Sequence, residues 1–412
     1  MRNKLDGYIA ACEAQIRPLV EQSERISQEN QERVLDAFWR QRISQADLVG
    51  TTGYGLSDVG RDKFEAVFAT AFGAEAALVR PQIVSGTHAI SLALFGVLRP
   101  GDELLFVTGS PYDTLHGVTG LRTAQGSLAE WGISTNIIDL TADGEIDVAA
   151  ICNYITDRTK LCMFQRSRGY QARPAISVAT LGKAFAEIRA VHPHVLLGVD
   201  NCYGEFVETL EPTHVGADMV MGSLIKNPGG GIVPTGGYIA GKASVIEEVA
   251  ARLVAPGAGA EYGPTGAYQQ SFYQGLFLAP HVVGQAIRGS LLFAQALSGL
   301  GYRVAPEPGV PRTDLILSVQ LDDPERLLRF CQAIQAVAPI DAHVRPEADA
   351  MAGYADAVVM AAGTFIQGAS LELSADAPMR PPYIAYVQGG LTYEHCVIAL
   401  KRILRQIAPQ IC

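Results

Sequence analysis

Apolar residues recur at helical spacing from the start of the chain: Leu5, Ile9, Cys12, Ile16 and Leu19, then Val34, Leu35, Phe38 and Trp39. This pattern predicts two helices between Arg2 and about Arg42, laid either on a partner subunit or over their own domain. A polar, glycine-bearing stretch, Thr51-Thr52-Gly53-Tyr54-Gly55, separates them from an amphipathic helix predicted over Asp62–Phe72. The middle of the chain alternates short, almost continuously apolar runs with helical stretches. Strands are predicted at Glu103–Thr108, Thr135–Asp139, Leu161–Gln165, Val195–Asp200, Met219–Ser223 and Gly237–Ala240. Helices between them are predicted at Ala89–Leu98, Val148–Tyr154 and Val178–Val191. Such alternation is the mark of a parallel sheet covered on both faces. Open sheets of this kind bind ligands in the loops beyond the carboxyl ends of their strands.

Beyond the Gly-, Ala- and Pro-rich loop from Pro256 to Pro264, a long helix is predicted from about Pro280 to Leu300. The glycines and prolines of Gly301–Pro311 then mark a boundary. The expected organisation is an N-terminal helical arm (1–50), a large α/β domain (51–300) and a smaller α+β domain (301–412) ending in a helix over Tyr393–Ile407.

Composition narrows the class. With 412 residues, 48% apolar and 18% charged, burial can offset chain entropy, and disorder is excluded. The net charge of −10 argues against non-specific binding to nucleic acid or to an anionic membrane. No uninterrupted apolar run reaches the ~18 residues of a spanning helix, and the first twenty residues lack a secretory core, so a cytoplasmic protein is expected. The seven cysteines are scattered without a C-x-x-C pair, which suits neither a disulfide framework nor a zinc site. The histidines show no H-E-x-x-H spacing, and no catalytic metal is expected.

Candidate chemistry starts from lysine, which occurs only seven times. Lys226 follows the apolar run Met219–Ile225 and precedes Asn227-Pro228-Gly229-Gly230-Gly231. That puts an ammonium at the end of a buried strand, beside glycines that admit close approach of a ligand. A desolvated lysine has a lowered pKa and can form a Schiff base; a surface lysine in a turn is the plainer alternative. Asp200 ends another apolar run, 26 residues earlier, and could hold a protonated pyridine nitrogen or simply cap a turn. Ser85-Gly86-Thr87-His88 precedes a predicted helix, a position suited to a phosphate or to an ordinary cap. Tyr112, just past the strand ending at Thr108, could stack on a cofactor ring and move protons, or be a turn tyrosine. Neither the P-loop nor the dinucleotide fingerprint is present.

The order of these features is similar to that of fold-type I pyridoxal-phosphate (PLP) enzymes. The phrases VRPQIVSGTHAI (79–90), QRSRGY (165–170), VDNCYGEF (199–206), GSLIKNPGGGI (222–232), QGLFLAPHVV (274–283) and LELSADAPMRPPY (371–383) resemble the methionine gamma-lyase-like, aluminium-resistance subfamily of the Cys/Met metabolism branch. The resemblance runs from about residue 50 to the end. It implies a PLP-dependent carbon–sulfur lyase acting on a sulfur amino acid by β- or γ-elimination, built as a homo-oligomer, dimer or tetramer.

By motif, the resemblance makes Lys226 the cofactor lysine and Asp200 the partner of the pyridine nitrogen. It gives the phosphate to Gly86, Thr87 and the Ser223 hydroxyl, and the ring face to Tyr112. Tyr54 would reach a neighbouring subunit's phosphate; the arginine that follows such a tyrosine in the better-known lyases is absent, since Leu56 stands there. Ile225 likewise replaces their threonine before the lysine. A substrate carboxylate calls for an arginine, and Arg380 and Arg168 are the candidates. Other PLP chemistry on an amino acid, such as aldol cleavage or racemisation, and a PLP-binding protein without turnover are the rival readings.

Overall fold

The computed structural model describes residues 2–171, 173–350 and 356–411. Helix α1 (Arg2–Arg40) is continuous, where the sequence pattern predicts two helices. The polar segment Glu21–Arg33 is rich in good helix formers, and nothing in it stops the helix. Within it, buried Asn30 donates to the carbonyls of Phe206 and Glu208 at 2.9 and 3.1 Å. The apolar stripe Leu5, Ile9, Cys12, Ile16 is buried in the core of its own chain. Helix α1 packs along α8 (Gln269–Ser298) and α2 (Val59–Ala71).

Helix α8 begins eleven residues before the predicted Pro280, which lies inside it. Its first turns are held by packing: Gly275 lies so close to the turn at Gly229 that a Cβ would stand 2.5 Å from the Gly229 carbonyl oxygen. The segment Gly266–Ser298 is long and apolar enough to cross a membrane by length and composition, yet 67% of its apolar window is buried inside the fold. It reads as the core helix of this chain.

The first sheet contains β1 (Ala76–Arg80), β2 (Glu103–Phe106), β3 (Ser134–Ile137), β4 (Thr159–Gln165), β5 (Leu196–Asp200), β6 (Met219–Ser223) and β7 (Gly237–Gly241). Its order is β1-β7-β6-β5-β4-β2-β3. Strands β3, β2, β4, β5 and β6 run parallel, while β7 is antiparallel to both of its neighbours. Helices α3 (Gly86–Val97), α5 (Val148–Tyr154), α6 (Val178–Val191) and α7 (Ala243–Leu253) cover it, and the short α4 (Leu115–Thr119) packs on α3. The strands of β4 and β6 are buried nearly throughout, as a sheet with two covered faces requires.

A second sheet follows, with β8 (Arg303–Ala305), β9 (Leu317–Gln320), β10 (Ala348–Asp349), β11 (Val358–Ala361), β12 (Ser374–Pro378) and β13 (Ile384–Gln388). Its order is β10-β11-β12-β13-β9-β8, all antiparallel, with α9 (Pro324–Gln335) and α10 (Tyr393–Ile407) packed together beside it. The architecture is α/β, with a mostly parallel sheet and a separate C-terminal antiparallel one.

Candidate active site

Loops at the carboxyl ends of β2, β4, β5 and β6 meet the small sheet around a cavity of about 280 Å³. Gly86, Thr87, Tyr112, Asp200, Ser223 and Lys226 all line it. Lys226 follows β6, and its backbone carbonyl accepts from Gly229 N at 3.2 Å in the short turn Asn227–Gly229. Gly230 leaves that turn at φ +57°, and a Cβ there would stand 2.4 Å from the Gly275 carbonyl oxygen, so glycine is required. The buried Asn227 side chain ties the turn to the Glu205 carbonyl at 2.9 Å.

The Lys226 ammonium sits 3.9 Å from the centroid of the Tyr203 ring. Burial alone lowers its pKa, but Cys202, Tyr203, Asp200 and Glu205 together outweigh burial and hold it above the ordinary lysine value. The lowered pKa expected from the sequence is thus reversed by the acidic groups around it.

Asp200 ends β5, directly opposite Gln165 at the end of β4. Its Oδ1 accepts from Cys202 N at 3.1 Å. Burial raises the Asp200 carboxyl, opposed chiefly by Lys226. The loop after it is braced from below: Arg166 donates to Asn201 Oδ1 at 2.8 Å, and Asn201 donates to Glu211 at 2.8 Å. Tyr203 (φ +71°) and Phe206 (φ +60°) take left-handed backbone conformations in this loop, a strain that marks a tightly determined segment.

Ser85 caps α3, accepting from His88 N at 3.0 Å. Gly86 follows; a Cβ there would stand 3.2 Å from Cys202 Sγ and 3.5 Å from Ser223 Cβ. The Ser223 hydroxyl is buried without a hydrogen-bond partner among the described residues. Thr87 shares a hydrogen bond with Thr114 at 2.9 Å. A helix N-terminus, a glycine kept bare and an unpartnered buried hydroxyl together form a cradle that suits a phosphate. Tyr112 stands edge-on to Tyr170, ring centroids 6.0 Å apart.

Other sequence candidates lie elsewhere. Arg380 is exposed and ion-paired with Asp356 at 2.9 Å, outside the cavity, so this chain's own cavity does not draw on it. Arg168 is buried but turned away, donating to the Ala305 carbonyl at 2.7 Å and Ser318 Oγ at 3.0 Å, where it ties the first sheet's loop to the second sheet. Tyr54 is 74% exposed and packs edge-on to Tyr262 at 5.7 Å, not in the cavity of its own chain. Conversely, Gln165, Cys202, Tyr203, Ser370, Asp376 and Gln388 line the cavity without having been singled out from the sequence. Position at the carboxyl end of a buried strand could have found Gln165. The three from the second sheet and its β11–β12 loop carry no local signal.

Glu205 lies beneath the site, fully buried, accepting from Tyr238 OH at 2.8 Å. Burial raises its carboxyl from 4.5 to about 8, so the folded chain keeps a proton that the unfolded chain releases above its ordinary pKa. Stability from this group is complete below about pH 4.5 and falls as pH rises towards about 8. The slope is at most about 1.4 kcal/mol per pH unit. Glu205→Gln is expected to flatten that decline and to raise the melting temperature at pH 8 relative to the parent. Parallel melting curves at pH 5 to 9 would check it; unchanged pH dependence would contradict it.

Comparison with known proteins follows the same lines. A family profile described as methionine gamma-lyase matches residues 6–408. The YnbB protein of Bacillus subtilis is 52% identical over 385 residues, covering 93% of this chain and 91% of that protein. A solved Listeria monocytogenes structure, provisionally named a cystathionine beta-lyase involved in aluminium resistance, superposes with TM-score 0.96 at 50% identity, covering 98% of this chain and 100% of that one. A Clostridium novyi structure named a carbon-sulfur lyase involved in aluminium resistance has TM-score 0.95 at 43% identity, covering 98% and 96%. Solved structures below 25% identity share the fold-type I architecture and no more. With its profile matched over almost its whole length, the chain belongs to the methionine gamma-lyase family.

Proposed function

We propose that this chain is a PLP-dependent carbon–sulfur lyase that splits a sulfur amino acid into a thiol, a 2-oxo acid and ammonia. The observation that carries it is the convergence of Lys226, Asp200 and the Gly86–Thr87–Ser223 cradle on one cavity. Family membership and the names of the Listeria and Clostridium neighbours support the same chemistry. In this reading Lys226 would hold the cofactor covalently, Asp200 would pair with its ring nitrogen, the cradle would take its phosphate and Tyr112 would pack on its ring. Bound there, the cofactor supplies an electron sink that acidifies the substrate Cα–H bond.

The chain's own groups do the rest. Lys226 Nζ moves the Cα proton. The C–S bond breaks with its electron pair leaving on sulfur, and Tyr112 OH or Lys226 Nζ returns a proton to the thiolate. Water then hydrolyses the released enamine to the 2-oxo acid and ammonium. Incubating the holoenzyme with a panel of thioether amino acids should release thiol and 2-oxo acid in equal amounts. Release of an aldehyde, an inverted amino acid or nothing would favour the rival readings.

The same reading divides the chain into an arm (1–50), a cofactor domain (51–300) and a small domain (301–412). It also makes the protein a homo-oligomer in which Tyr54 reaches a neighbour's phosphate. Support comes from the exposed Tyr54 ring, with exposed Val49, Leu56, Val59 and Val84 on nearby segments. A phenol donating to phosphate contributes about 1.5–3 kcal/mol. Tyr54→Phe should therefore weaken cofactor binding about ten-fold or more. Light scattering and a cofactor titration check both halves; a monomer that holds cofactor tightly would refute the shared site. The free thiols of Cys12, Cys152, Cys162, Cys202, Cys331 and Cys396 fit the reducing cytoplasm that this reading assumes.

A further inference from the structure

The wall of the cavity contributed by the second sheet is not used by the steps above. Asp376, on β12, is 8% exposed and lies in register with Tyr386 of β13. Its Oδ2 accepts from Gln388 Nε2 at 3.3 Å, and the Tyr170 hydroxyl favours its charged form. Ser370, 3% exposed on the same wall, has a buried hydroxyl with no partner among the described residues.

A carboxylate this far from water stays charged only beside a cation. Burial raises the Asp376 carboxyl; Tyr170, Gln388 and then the Lys226 ammonium oppose this, and the proposed function commits Lys226 to the cofactor. No arginine and no second lysine of this chain lines the cavity, and the residues outside the described set (1, 172, 351–355 and 412) include neither type. The wall therefore offers a carboxylate, an amide and a free hydroxyl, and lacks a fixed positive group. The complementary ligand group is a protonated amine.

Resting on the lyase reading, we propose that Asp376, with Ser370 on the same wall, receives a protonated amine at the far end of the substrate's sulfur substituent. The preferred substrate is then a cysteine or homocysteine thioether bearing an aminoalkyl group. A distal ammonium pairs with Asp376 and donates further to the Ser370 hydroxyl. An apolar end leaves the carboxylate buried and unpaired, and a distal carboxylate meets like charge.

Three thioethers of similar length test this: S-(2-aminoethyl)-cysteine, S-propyl-cysteine and S-(2-carboxyethyl)-cysteine. Binding to the holoenzyme is read from the change in cofactor absorbance, which does not require turnover. The aminoethyl compound should bind at least about ten-fold more tightly than the propyl compound, and the carboxyethyl compound most weakly. In Asp376→Asn, which keeps the shape and removes the charge, the aminoethyl-to-propyl ratio should fall to about one, and Asp376→Glu should restore part of it. Equal binding of the three by the parent protein, tighter binding of the carboxyethyl compound, or a preference retained in Asp376→Asn would each overturn the proposal. Should the Asn variant not fold, the order of the three ligands on the parent decides alone. If all three bind in the expected order and none releases thiol, the lyase reading fails while the amine receptor stands.

Discussion

Lys226→Ala is expected to lose covalent cofactor and thiol release together, the latter by about 10²–10⁴-fold or more. The expectation rests on where the other lysines lie. Lys63 is paired with Asp47 at 2.9 Å, Lys242 with Asp218 at 2.7 Å and Lys401 with Asp6 at 2.7 Å, each outside the cavity. Lys4 donates to the Gln410 carbonyl at 3.0 Å, at the far end of the chain's first helix. No other ammonium among the described residues is placed to substitute. The variant should still fold, because the side chain removed lines the cavity and belongs to neither of the two apolar cores. Small primary amines added to the variant should restore part of the rate, since they resupply the missing base. A variant within ten-fold of the parent rate, with its fold verified by melting, would remove Lys226 from the chemistry.

Asp200→Asn should separate binding from turnover. The amide oxygen can still accept from Cys202 N, the bond of 3.1 Å that fixes the side chain now, so the cavity keeps its shape. What is lost is the negative charge that Lys226 and the Cys202 N–H favour against the cost of burial. A neutral amide cannot stabilise a protonated ring nitrogen, so cofactor should be retained while kcat falls by about 10²–10³-fold. Comparing cofactor content and rate in one preparation checks it. A near-parental rate would exclude this role for Asp200.

Where one physical signal dominated, the sequence located elements to the residue. Met219–Ser223 is a continuous apolar run ending in a glycine-rich turn, and the strand has those bounds. Helices over Val148–Tyr154, Val178–Val191 and Tyr393–Ile407 also match, the last two beginning right after the caps Ser177 and Thr392. The errors came where tertiary packing overrides a local cue. Pro280 reads as a helix start, yet packing against α1 and the Asn227–Gly229 turn carries the helix through it. The polar stretch after Leu19 reads as a break, yet Asn30 finds buried carbonyl partners there.

The site divides in the same way. Lys226, Asp200, Ser223 and Gly86 stand at strand ends or at a helix start, positions that a pattern of buried runs reveals. Their convergence on one cavity is a property of parallel strands sharing one edge. Asp376, Gln388 and the loop residue Ser370 come from a region more than a hundred residues later, and nothing local ties them to Lys226. Arg380 stands apart from this chain's cavity. It sits in a distinctive phrase, Ala377–Pro382, but past the end of β12, where its guanidinium reaches solvent and Asp356.

The central claim is that this cavity holds pyridoxal phosphate on Lys226. Borohydride reduction of the purified holoenzyme, followed by proteolysis and mass spectrometry of the peptides, tests it most directly. The account predicts a single pyridoxyl-modified peptide spanning Gly222–Gly231 with the label on Lys226; a label on any other lysine, or on none, would contradict it.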